Sequence, residues 1–594
     1  MILQALKEYY DRKAADPESD IAPEGWEKKE IPFIIVLDSD GSLVRIEDTR
    51  EGEGKKKRAK TFLVPQAVKK TSGIAANLLW DVAGYVFGVD KKGNKERDEE
   101  KDKKRARNQK ETFINRLKNE LGDIDIVQAV IGFLQNVTEE RLLRESCWKE
   151  ICDTNPNLSF RLNTDTYLVC RHPEVVTKLS VSAKERPNEN QGICLMTGER
   201  TNIKKLHTSI KGVYGAQSSG ANIVSFNLDA FRSFGKEQGF NSPVGIEAEF
   251  SYTTAINTLL GKDSKQRISI GDASTVFWSE KQSAFESDFS FFFKEPEKDN
   301  PDAGTEKIKA LFESVNSGSY LEDDGDARFY ILGLAPNASR IAVRFWQVGT
   351  VSEYAAKIKL YFDDFAIIKP PREPEYYSIW RILVNISTQD KSENIPPNLA
   401  GDFMRSILNG TPYPATMLQA VLRRIHSDTE NRVKPVRAAL IKAYLNRYYR
   451  FYPDPKYKEV TMELDTTQPS IGYQLGRLFA TLEKIQEEAN PGINATIRDR
   501  FYGAACAAPV TVFTNLLRLK NHHLAKLESK GRVVNFERLL GEIMGNLNDF
   551  PAHLDLHEQG RFAIGYYHQR QAFFTSKSND GESSDESVII PSQM

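Results

Sequence analysis

The residues with the clearest chemical potential form a positively charged run near the start of the chain. From Gly54 to Trp80 the sequence has seven Lys or Arg residues and no Asp or Glu. Lysine, arginine and small polar groups hold phosphate backbones, and Gly73 would let the main chain approach a ligand closely. A solvated loop that caps a core helix is the alternative interpretation. The candidate contacts are Lys55, Lys56, Lys57, Arg58, Lys69, Lys70, Thr71, Ser72, Gly73 and Asn77.

A second basic group lies in the C-terminal half. Between Arg423 and Arg450 there are eight Lys or Arg residues against Asp428 and Glu430, with three tyrosines interleaved. Arginine and tyrosine together suit a single nucleic-acid strand, because they combine phosphate contacts with stacking platforms. An amphipathic helix pair whose tyrosines belong to the core is the alternative. The candidates here are Arg423, Arg424, Arg437 and Arg447.

Catalytic motifs are not recognisable in the sequence. There is no G-x-x-x-x-G-K-[ST] phosphate loop, and residues 216–220 lack the strand-to-helix setting of a nucleophile elbow. His553 and His557 could share a helix face, but no carboxylate cluster accompanies them, so we expect surface or interhelix residues. Asp323, Asp324 and Asp326 lie in a polar loop. We therefore expect no enzyme activity, no metal and no cofactor.

The elements that position these residues change along the chain. Residues 31–45 predict a hairpin, and a second hairpin turns at Pro336-Asn337. The polar segment 294–325 predicts a mobile surface insertion, and beyond residue 376 the apolar period changes from two to about 3.6. The sequence thus predicts an α+β fold, with an N-terminal mixed α/β region containing antiparallel hairpins followed by a C-terminal all-helical bundle. The predicted regions are 1–120 (basic), 121–375 (mixed α/β), 376–461 (basic helical) and 462–594 (helical bundle).

Composition indicates how a polyanion could be bound and in which cellular compartment we expect the protein. The 594 residues carry a net charge of −1, so a polyanion must be held by local patches. Five widely spaced cysteines favour reduced thiols over a disulfide framework. No apolar run is long enough for a membrane span, and the first residues do not have the pattern of a signal peptide. We expect a cytoplasmic protein.

Several sequence blocks resemble the large subunit of a type I-C CRISPR surveillance complex (Cascade). They are Phe62 to Trp80, Gly192-Ile-Cys194-Leu-Met-Thr-Gly198-Glu199, the glycine-rich stretch from Lys211 to Asn227, Tyr330 to Asn337, and Asn409-Gly-Thr-Pro-Tyr-Pro414. The resemblance implies a non-catalytic subunit beside crRNA-bound backbone subunits and a crRNA-processing subunit. It would recognise the motif that flanks the target, help to open the duplex, stabilise the displaced strand and dock a separate helicase-nuclease. A metal-dependent nuclease or hydrolase, or a general RNA-binding protein, is the alternative.

The resemblance also implies where the candidate residues act. Lys69 to Asn77 would contact the flanking duplex, with Ser72 and Asn77 on bases and the lysines on phosphates. A separate small helical subunit would be translated from inside the gene, starting at Met462. Its contacts to the displaced strand would be Arg477, Arg498, Arg500 and Arg518.

Overall fold

Two units of unlike composition make up the chain in the computed structural model. The first comprises Met1–Gly212, Ala216–Lys262 and Pro336–Ile341, and the second comprises Val213–Gly215, Asp263–Ala335 and Ala342–Met594. The structure describes residues 1–52, 57–68, 70, 73–89, 99–184, 190–293, 305–318, 325–428 and 432–579.

The first unit is built around a four-stranded mixed sheet with the order β3-β2-β6-β5. Its central strand β2 has the sequence Phe-Ile-Ile-Val-Leu and is buried along its whole length, as an apolar run covered on both faces should be. Strand β2 pairs antiparallel with β3 and parallel with β6, which aligns Phe33 with Leu158. The strands of the unit are β1 (Trp26–Glu30), β2 (Phe33–Leu37), β3 (Leu43–Asp48), β4 (Thr61–Pro65), β5 (Trp80–Val82), β6 (Asn157–Leu162), β7 (Gln191–Ile193) and β8 (Arg200–Asn202).

Helices surround this sheet, and two further strand pairs, β1 with β4 and β7 with β8, complete the unit. Helix α3 begins within a segment from Lys91 to Lys110 that is rich in Lys and Arg, of which residues 91–98 lie outside the described residues. The helices are α1 (Ile2–Ala14), α2 (Ala83–Val86), α3 (Glu99–Leu121), α4 (Asp125–Asn136), α5 (Glu139–Leu142), α6 (Trp148–Thr154), α7 (Pro173–Lys184) and α8 (Ile246–Leu259).

The second unit starts with a four-stranded sheet and continues as helices. Its strand order is β12-β11-β10-β9, and β10 pairs antiparallel with both β9 and β11. The strands are β9 (Arg267–Ile270), β10 (Ala273–Ser279), β11 (Arg328–Asn337) and β12 (Arg340–Thr350). The helices are α9 (Phe285–Phe293), α10 (Thr305–Ser317), α11 (Val351–Phe365), α12 (Ile379–Ile386), α13 (Pro397–Asn409), α14 (Ala415–Ser427), α15 (Pro435–Phe451), α16 (Ile471–Ala489), α17 (Ile497–Ala507), α18 (Pro509–Leu524), α19 (Lys530–Gly545) and α20 (Leu556–Asn579).

One tight helix pair organises the C-terminal part of the second unit. Helices α16 and α20 cross so closely that a Cβ added at Gly476 would lie 2.1 Å from the carbonyl oxygen of Phe562. A Cβ at Gly565 would lie 2.0 Å from the carbonyl oxygen of Tyr473. Glycine at both positions lets the two backbones touch, as in small-residue packing of membrane helices.

The predicted α+β class and its two hairpins are confirmed, as are the helices beyond residue 376. Of the segment 294–325, expected to be a mobile insertion, residues 305–317 form helix α10, whose Leu311 is buried in the core, and residues 294–304 and 319–324 lie outside the described residues. One detail differs from the predictions. The predicted boundary at residue 120 falls within the first unit, because β2 and β6 pair directly across it. Within the described ranges every helix is too short or too polar to traverse a lipid bilayer.

Candidate nucleic-acid interface

The loop between β4 and β5 carries the first group of candidate residues, and we call residues 66–79 the flank loop. Its two ends are held together because the indole N–H of Trp80 donates to the carbonyl of Pro65 at 2.8 Å. Leu79 has φ of +59°, and its carbonyl accepts the Ser159 hydroxyl at 3.0 Å. The sheet therefore fixes where the flank loop begins and ends.

Asp81, in strand β5, holds the flank loop through its carboxylate. Its carboxylate is 1% exposed and lies 2.6 Å and 2.8 Å from the Nζ of Lys70. It also accepts the backbone N–H of Asn77 at 2.8 Å. A buried carboxylate needs such partners to offset the cost of leaving water. Asp81 thus connects two points of the flank loop that are seven residues apart in sequence.

Asn77 occupies a different position from the one expected of a base-reading residue. Its side chain is buried, and its Oδ1 accepts the backbone N–H of Val68 at 3.1 Å. An amide that is engaged inside the loop cannot reach a base edge in this conformation. The prediction that Asn77 reads bases is therefore corrected, and the residue shapes the loop.

Lys70 and Gly73 lie at the accessible side of the loop. The Nζ of Lys70 is 3.6 Å from the centre of the Tyr85 ring, a close cation–π contact. Burial lowers the pKa of Lys70, and the neighbouring charge of Asp81 opposes that shift. Gly73 is exposed, and a Cβ added there would meet no atom within 4 Å. The backbone at Gly73 is therefore open to a ligand.

The remaining candidates of the first basic run are only partly described. Lys57 and Arg58 are exposed, and Arg58 pairs through its main chain with Glu51. The other candidates lie outside the described residues: Lys55, Lys56, Lys69, Thr71 and Ser72.

The structure adds two lysines that the sequence interpretation did not assign to this surface. Lys29 on β1 has its Nζ 5.1 Å from the Trp80 ring. Burial is the largest cause that lowers the pKa of Lys29, and the positive charge of Lys211 is the next. The carboxylates of Glu27 and Asp81 oppose this shift, and Lys70 lowers the pKa of Lys29 slightly further. Lys29, Lys70 and Lys211 come from three separate segments of the first unit, and the charges of Lys70 and Lys211 both act on Lys29. We call these three lysines the basic cluster.

Sequence signals for the two added lysines are weak. Lys29 belongs to the strand sequence Trp-Glu-Lys-Lys-Glu, whose alternating charges are common on half-exposed strands. Lys211 opens the glycine-rich stretch, and the nearest Lys or Arg residues in the sequence are Lys205 before it and Arg232 after it. Only the pairing of β1 with β4, which aligns Lys29 with Phe62, places that lysine beside the flank loop.

Three arginines predicted to contact DNA are buried in the second unit. Arg437 is 0% exposed and pairs with Asp390 at 3.2 Å and with Asp428. Arg447 is 1% exposed, and its Nε lies 2.8 Å from Oδ2 of Asp364. Side chains with no solvent exposure and with internal partners cannot contact a phosphate. The assignment of these two arginines to DNA is corrected.

Arg477 receives the same correction. It is 0% exposed and donates to Gln569 at 3.1 Å, to Gln474 at 3.0 Å and to Glu542 at 2.8 Å. These acceptors come from three helices, so Arg477 joins α16, α19 and α20. Its guanidinium stabilises the helical packing.

The other arginine candidates keep access to solvent. Arg423, Arg500 and Arg518 are exposed. Arg424 is half-buried and pairs with Asp390 and Asp428, each at 3.4 Å, while Arg498 lies 3.7 Å from Glu483. Among the arginines that the sequence predicted to contact DNA in this unit, these exposed three can contact a polyanion without rearrangement.

The tyrosines of α15 surround a histidine. Tyr449 lies 3.1 Å from Nδ1 of His557, and the Tyr448 ring centre is 4.6 Å from the imidazole. Burial lowers the pKa of His557. His553 precedes the first residue of α20, so the two histidines do not share a helix face. Among the described residues, no group of three or more His, Cys, Asp or Glu side chains could hold a metal ion.

Comparison with known proteins places this chain in a family. A family model described as CRISPR-associated protein (Cas_Csd1) matches residues 6–574. A search of curated proteins found no match.

Proposed function

The chain belongs to the CRISPR-associated Cas_Csd1 family, and from this premise we propose that it is the large subunit of a type I-C Cascade. In this role it recognises the motif that flanks the target, helps to open the duplex, stabilises the displaced strand and docks a separate helicase-nuclease. Its other partners are crRNA-bound backbone subunits and a crRNA-processing subunit. Guide pairing reads most of the target in such complexes, so the protein needs only a small DNA-reading surface.

The observation that carries this proposal is that one loop presents both Lys70 and the open backbone at Gly73, with the charges of Lys29 and Lys211 acting in the same part of the first unit. Lys29, Lys70 and Lys211 come from three segments, and Gly73 leaves room for a close approach to the flank loop. Grouped lysines release counterions when they meet phosphates, which favours binding to any DNA. Backbone and small polar groups of the flank loop would then supply the preference for one flank.

The deciding experiment uses the full complex assembled with crRNA. Two duplexes carry the same target with either the preferred or a scrambled flank, and affinity is measured at several salt concentrations. We expect wild type to prefer one flank. The double variant K70A/K211A should bind both duplexes about tenfold more weakly. The slope of log affinity against log salt concentration should be smaller in magnitude by about two. The exposed helical lysines Lys118 and Lys149 provide the control, because K118A/K149A should behave like wild type. Equal wild-type affinity for both flanks would contradict the proposal.

The non-catalytic part of the proposal has its own test. Purified chain incubated with Mg²⁺ or Mn²⁺ should leave labelled DNA and RNA intact, because recognition requires no bond cleavage. Cleavage that depends on the metal would support a nuclease instead. Equal binding to RNA in the absence of partner subunits would support a general RNA-binding protein.

A small subunit translated from Met462 is the second part of the proposal. Met462 is 54% exposed in the connection between α15 and α16, and five described helices follow it. The pair formed by α16 and α20 lies entirely inside that fragment and provides a core. Mass spectrometry of the complex should find a fragment starting near residue 462. It should disappear after Met462→Leu and synonymous recoding of codons 458–461. A complex without such a fragment before recoding would contradict this part.

A further inference from the structure

The connection between α18 and α19 carries an excess of positive charge. In residues 518–532 the sequence has five Lys or Arg residues and one acidic residue, Glu528. Lys526 and Lys530 are exposed, and within the described part of the chain neither forms an ion pair with a carboxylate. Burial lowers the pKa of His523, and the positive charge of Lys526 lowers it further. This surface can therefore accept an anionic group without breaking an existing ion pair.

The exposed side of α19 adds an aliphatic side chain to this charge. Lys530, Val534 and Arg538 are spaced four residues apart, which places them on one side of the helix. All three are exposed, and Val534 is 66% exposed. Together with Lys526, which lies just before the helix, they form a surface that we call the turn patch. Three cations and one aliphatic side chain suit a segment that combines carboxylates with aliphatic residues.

A segment with matching chemistry follows α20. Residues 580–594, which we call the acidic segment, lie outside the described residues. Their sequence contains Asp580, Glu582, Asp585 and Glu586 and no Lys, Arg or His, and Val588-Ile589-Ile590 follows the last carboxylate. The family match ends at residue 574, so the acidic segment lies beyond the part of the chain that the family model matches. Its charge and its aliphatic run complement the turn patch.

Helix α20 runs beside α16 in the same direction. The Gly472 N–H, near the start of α16, donates to the Glu558 carboxylate at 2.6 Å. Glu487, near the end of α16, lies 2.8 Å from Arg570. The C-terminal end of α20 therefore points the same way as the C-terminal end of α16.

The turn patch lies at that same end of α16. Arg532, in the first turn of α19, pairs with Glu488 at 2.6 Å, and the Lys526 ammonium group donates to Asn490 at 3.0 Å. Arg570 is nine residues before the last residue of α20, and nine helical residues rise about 14 Å. Fifteen residues can span up to about 50 Å. The acidic segment therefore starts well within reach of the turn patch.

We propose that the acidic segment binds the turn patch of its own chain when no nucleic acid is bound. Its carboxylates pair with Lys526, Lys530 and Arg538, and its aliphatic residues cover Val534. A tethered segment acts at an effective concentration on the order of 1 mM, so weak contacts are sufficient. The segment competes with nucleic-acid phosphates for the same cations. This competition rests on the proposed function, whereas the binding of the segment does not.

Binding of the segment is tested without nucleic acid. The probe is a fluorescein-labelled peptide of residues 579–594, added to the full chain at about 50 mM salt. Wild type should leave the probe unbound, because its own segment occupies the patch. The neutral-segment variant, D580N/E582Q/D585N/E586Q, keeps the full length and should bind the probe with a dissociation constant of about 0.1 mM. A probe with the same four substitutions should not bind.

A second pair of substitutions locates the binding surface. K526E/K530E, added to the neutral-segment variant, should abolish probe binding, and the unfolding temperature should stay the same because both lysines are exposed. K118E/K149E is the matched control, since Lys118 and Lys149 are exposed lysines on helices of the first unit. This control should bind the probe as the neutral-segment variant does.

Competition is measured with an oligothymidine of about 20 nucleotides. The neutral-segment variant should bind it about tenfold more tightly than wild type, because an effective concentration of about 1 mM exceeds a dissociation constant of about 0.1 mM by that factor. The difference should vanish at about 500 mM salt, where exposed charges are screened.

Each result has one interpretation. Probe binding to the neutral-segment variant alone, abolished by K526E/K530E, supports the proposal. Equal binding to wild type and variant, no binding to the variant, or binding that survives K526E/K530E overturns it. Exclusion of the probe from wild type only at high protein concentration would assign the patch to the segment of a second copy and overturn binding within one chain. Unchanged oligothymidine affinity overturns the competition. A complex without flank preference contradicts the proposed function and leaves the probe result standing.

Discussion

The Nζ of Lys70 lies 2.6 Å from Oδ1 and 2.8 Å from Oδ2 of Asp81, so one buried carboxylate holds the accessible lysine of the flank loop. The same carboxylate accepts the Asn77 N–H. The Asp81 carboxylate therefore positions the Lys70 ammonium group and also fixes the backbone of the loop that carries Gly73.

Asp81→Asn should weaken both the loop and DNA binding. Its side chain is 1% exposed, so it contacts no DNA itself. We expect the free energy of unfolding to fall by about 2 kcal/mol and affinity for either flank to fall about tenfold, measured by urea unfolding and gel-shift titration. The control is Asp11→Asn, which removes an exposed pair with Lys7 and should change stability by less than about 0.5 kcal/mol. Equal effects of the two variants would refute the anchoring role.

Gly73→Ala should affect binding without affecting folding. The added methyl group meets no protein atom within 4 Å, so the unfolding curve should match wild type. If DNA approaches the backbone there, affinity should fall about tenfold. Gly503→Ala adds a methyl group to another open position, in helix α17, and should leave DNA affinity unchanged. Wild-type affinity of G73A would exclude close approach at this glycine.

Alanine substitutions at Arg423 and Arg437 should have different effects. The first should change strand opening, and the second should change the free energy of unfolding. Arg437→Ala removes a buried guanidinium from Asp390 and Asp428, and it should lower the free energy of unfolding by about 3 kcal/mol. Arg423→Ala removes an exposed charge and should change stability by less than about 0.5 kcal/mol while slowing strand opening. Denaturant unfolding and stopped-flow fluorescence measure the two effects. A large loss of stability in R423A would contradict the exposed position of Arg423.

Gly476→Ala should destabilise the C-terminal helices. The new methyl carbon would lie 2.1 Å from the Phe562 carbonyl oxygen and 2.7 Å from the Tyr566 nitrogen, which forces α16 and α20 apart. We expect a loss of about 3 kcal/mol from overpacking. Gly503→Ala is the matched helical control and should be neutral or stabilising by up to about 1 kcal/mol. Circular dichroism during thermal unfolding would detect the difference, and equal midpoints would disprove the close crossing.

His568 should make stability depend on pH. It is 1% exposed, its Nδ1 lies 2.9 Å from the Tyr473 hydroxyl, and burial lowers its pKa from 6.5 to about 3. The unfolded state binds the proton more readily, so this contribution is complete above pH 6.5 and is lost as the pH falls. Between about pH 7 and about pH 5 the loss should be about 2 kcal/mol. His568→Gln should reduce that slope, as measured by urea unfolding at each pH. An unchanged slope would exclude a neutral buried imidazole.

Local patterns in the sequence determined much of the architecture. The apolar run at Phe33–Leu37 and the turn after it were sufficient to predict the first hairpin. The change to a helical period after residue 376 was sufficient to predict that the chain beyond it is helical. These patterns are local because the strand and helix periods arise within a few neighbouring residues. The relation to CRISPR-associated proteins was also visible in the sequence, since the blocks that carry it are continuous segments within the residues that the family model matches.

Only the tertiary structure decided which charges face solvent. Arg437 and Arg423 look alike in sequence, but Asp390, 47 residues before Arg437, pairs with it in the fold. Helix α20 is buried on several sides by α15 and α16, so it shows no amphipathic stripe, and the sequence predicted it only as part of the helical bundle 462–594. The basic cluster likewise joins Lys29, Lys70 and Lys211 across three segments. Burial and ion pairing depend on partners that are distant along the chain, and local periodicity carries no information about them.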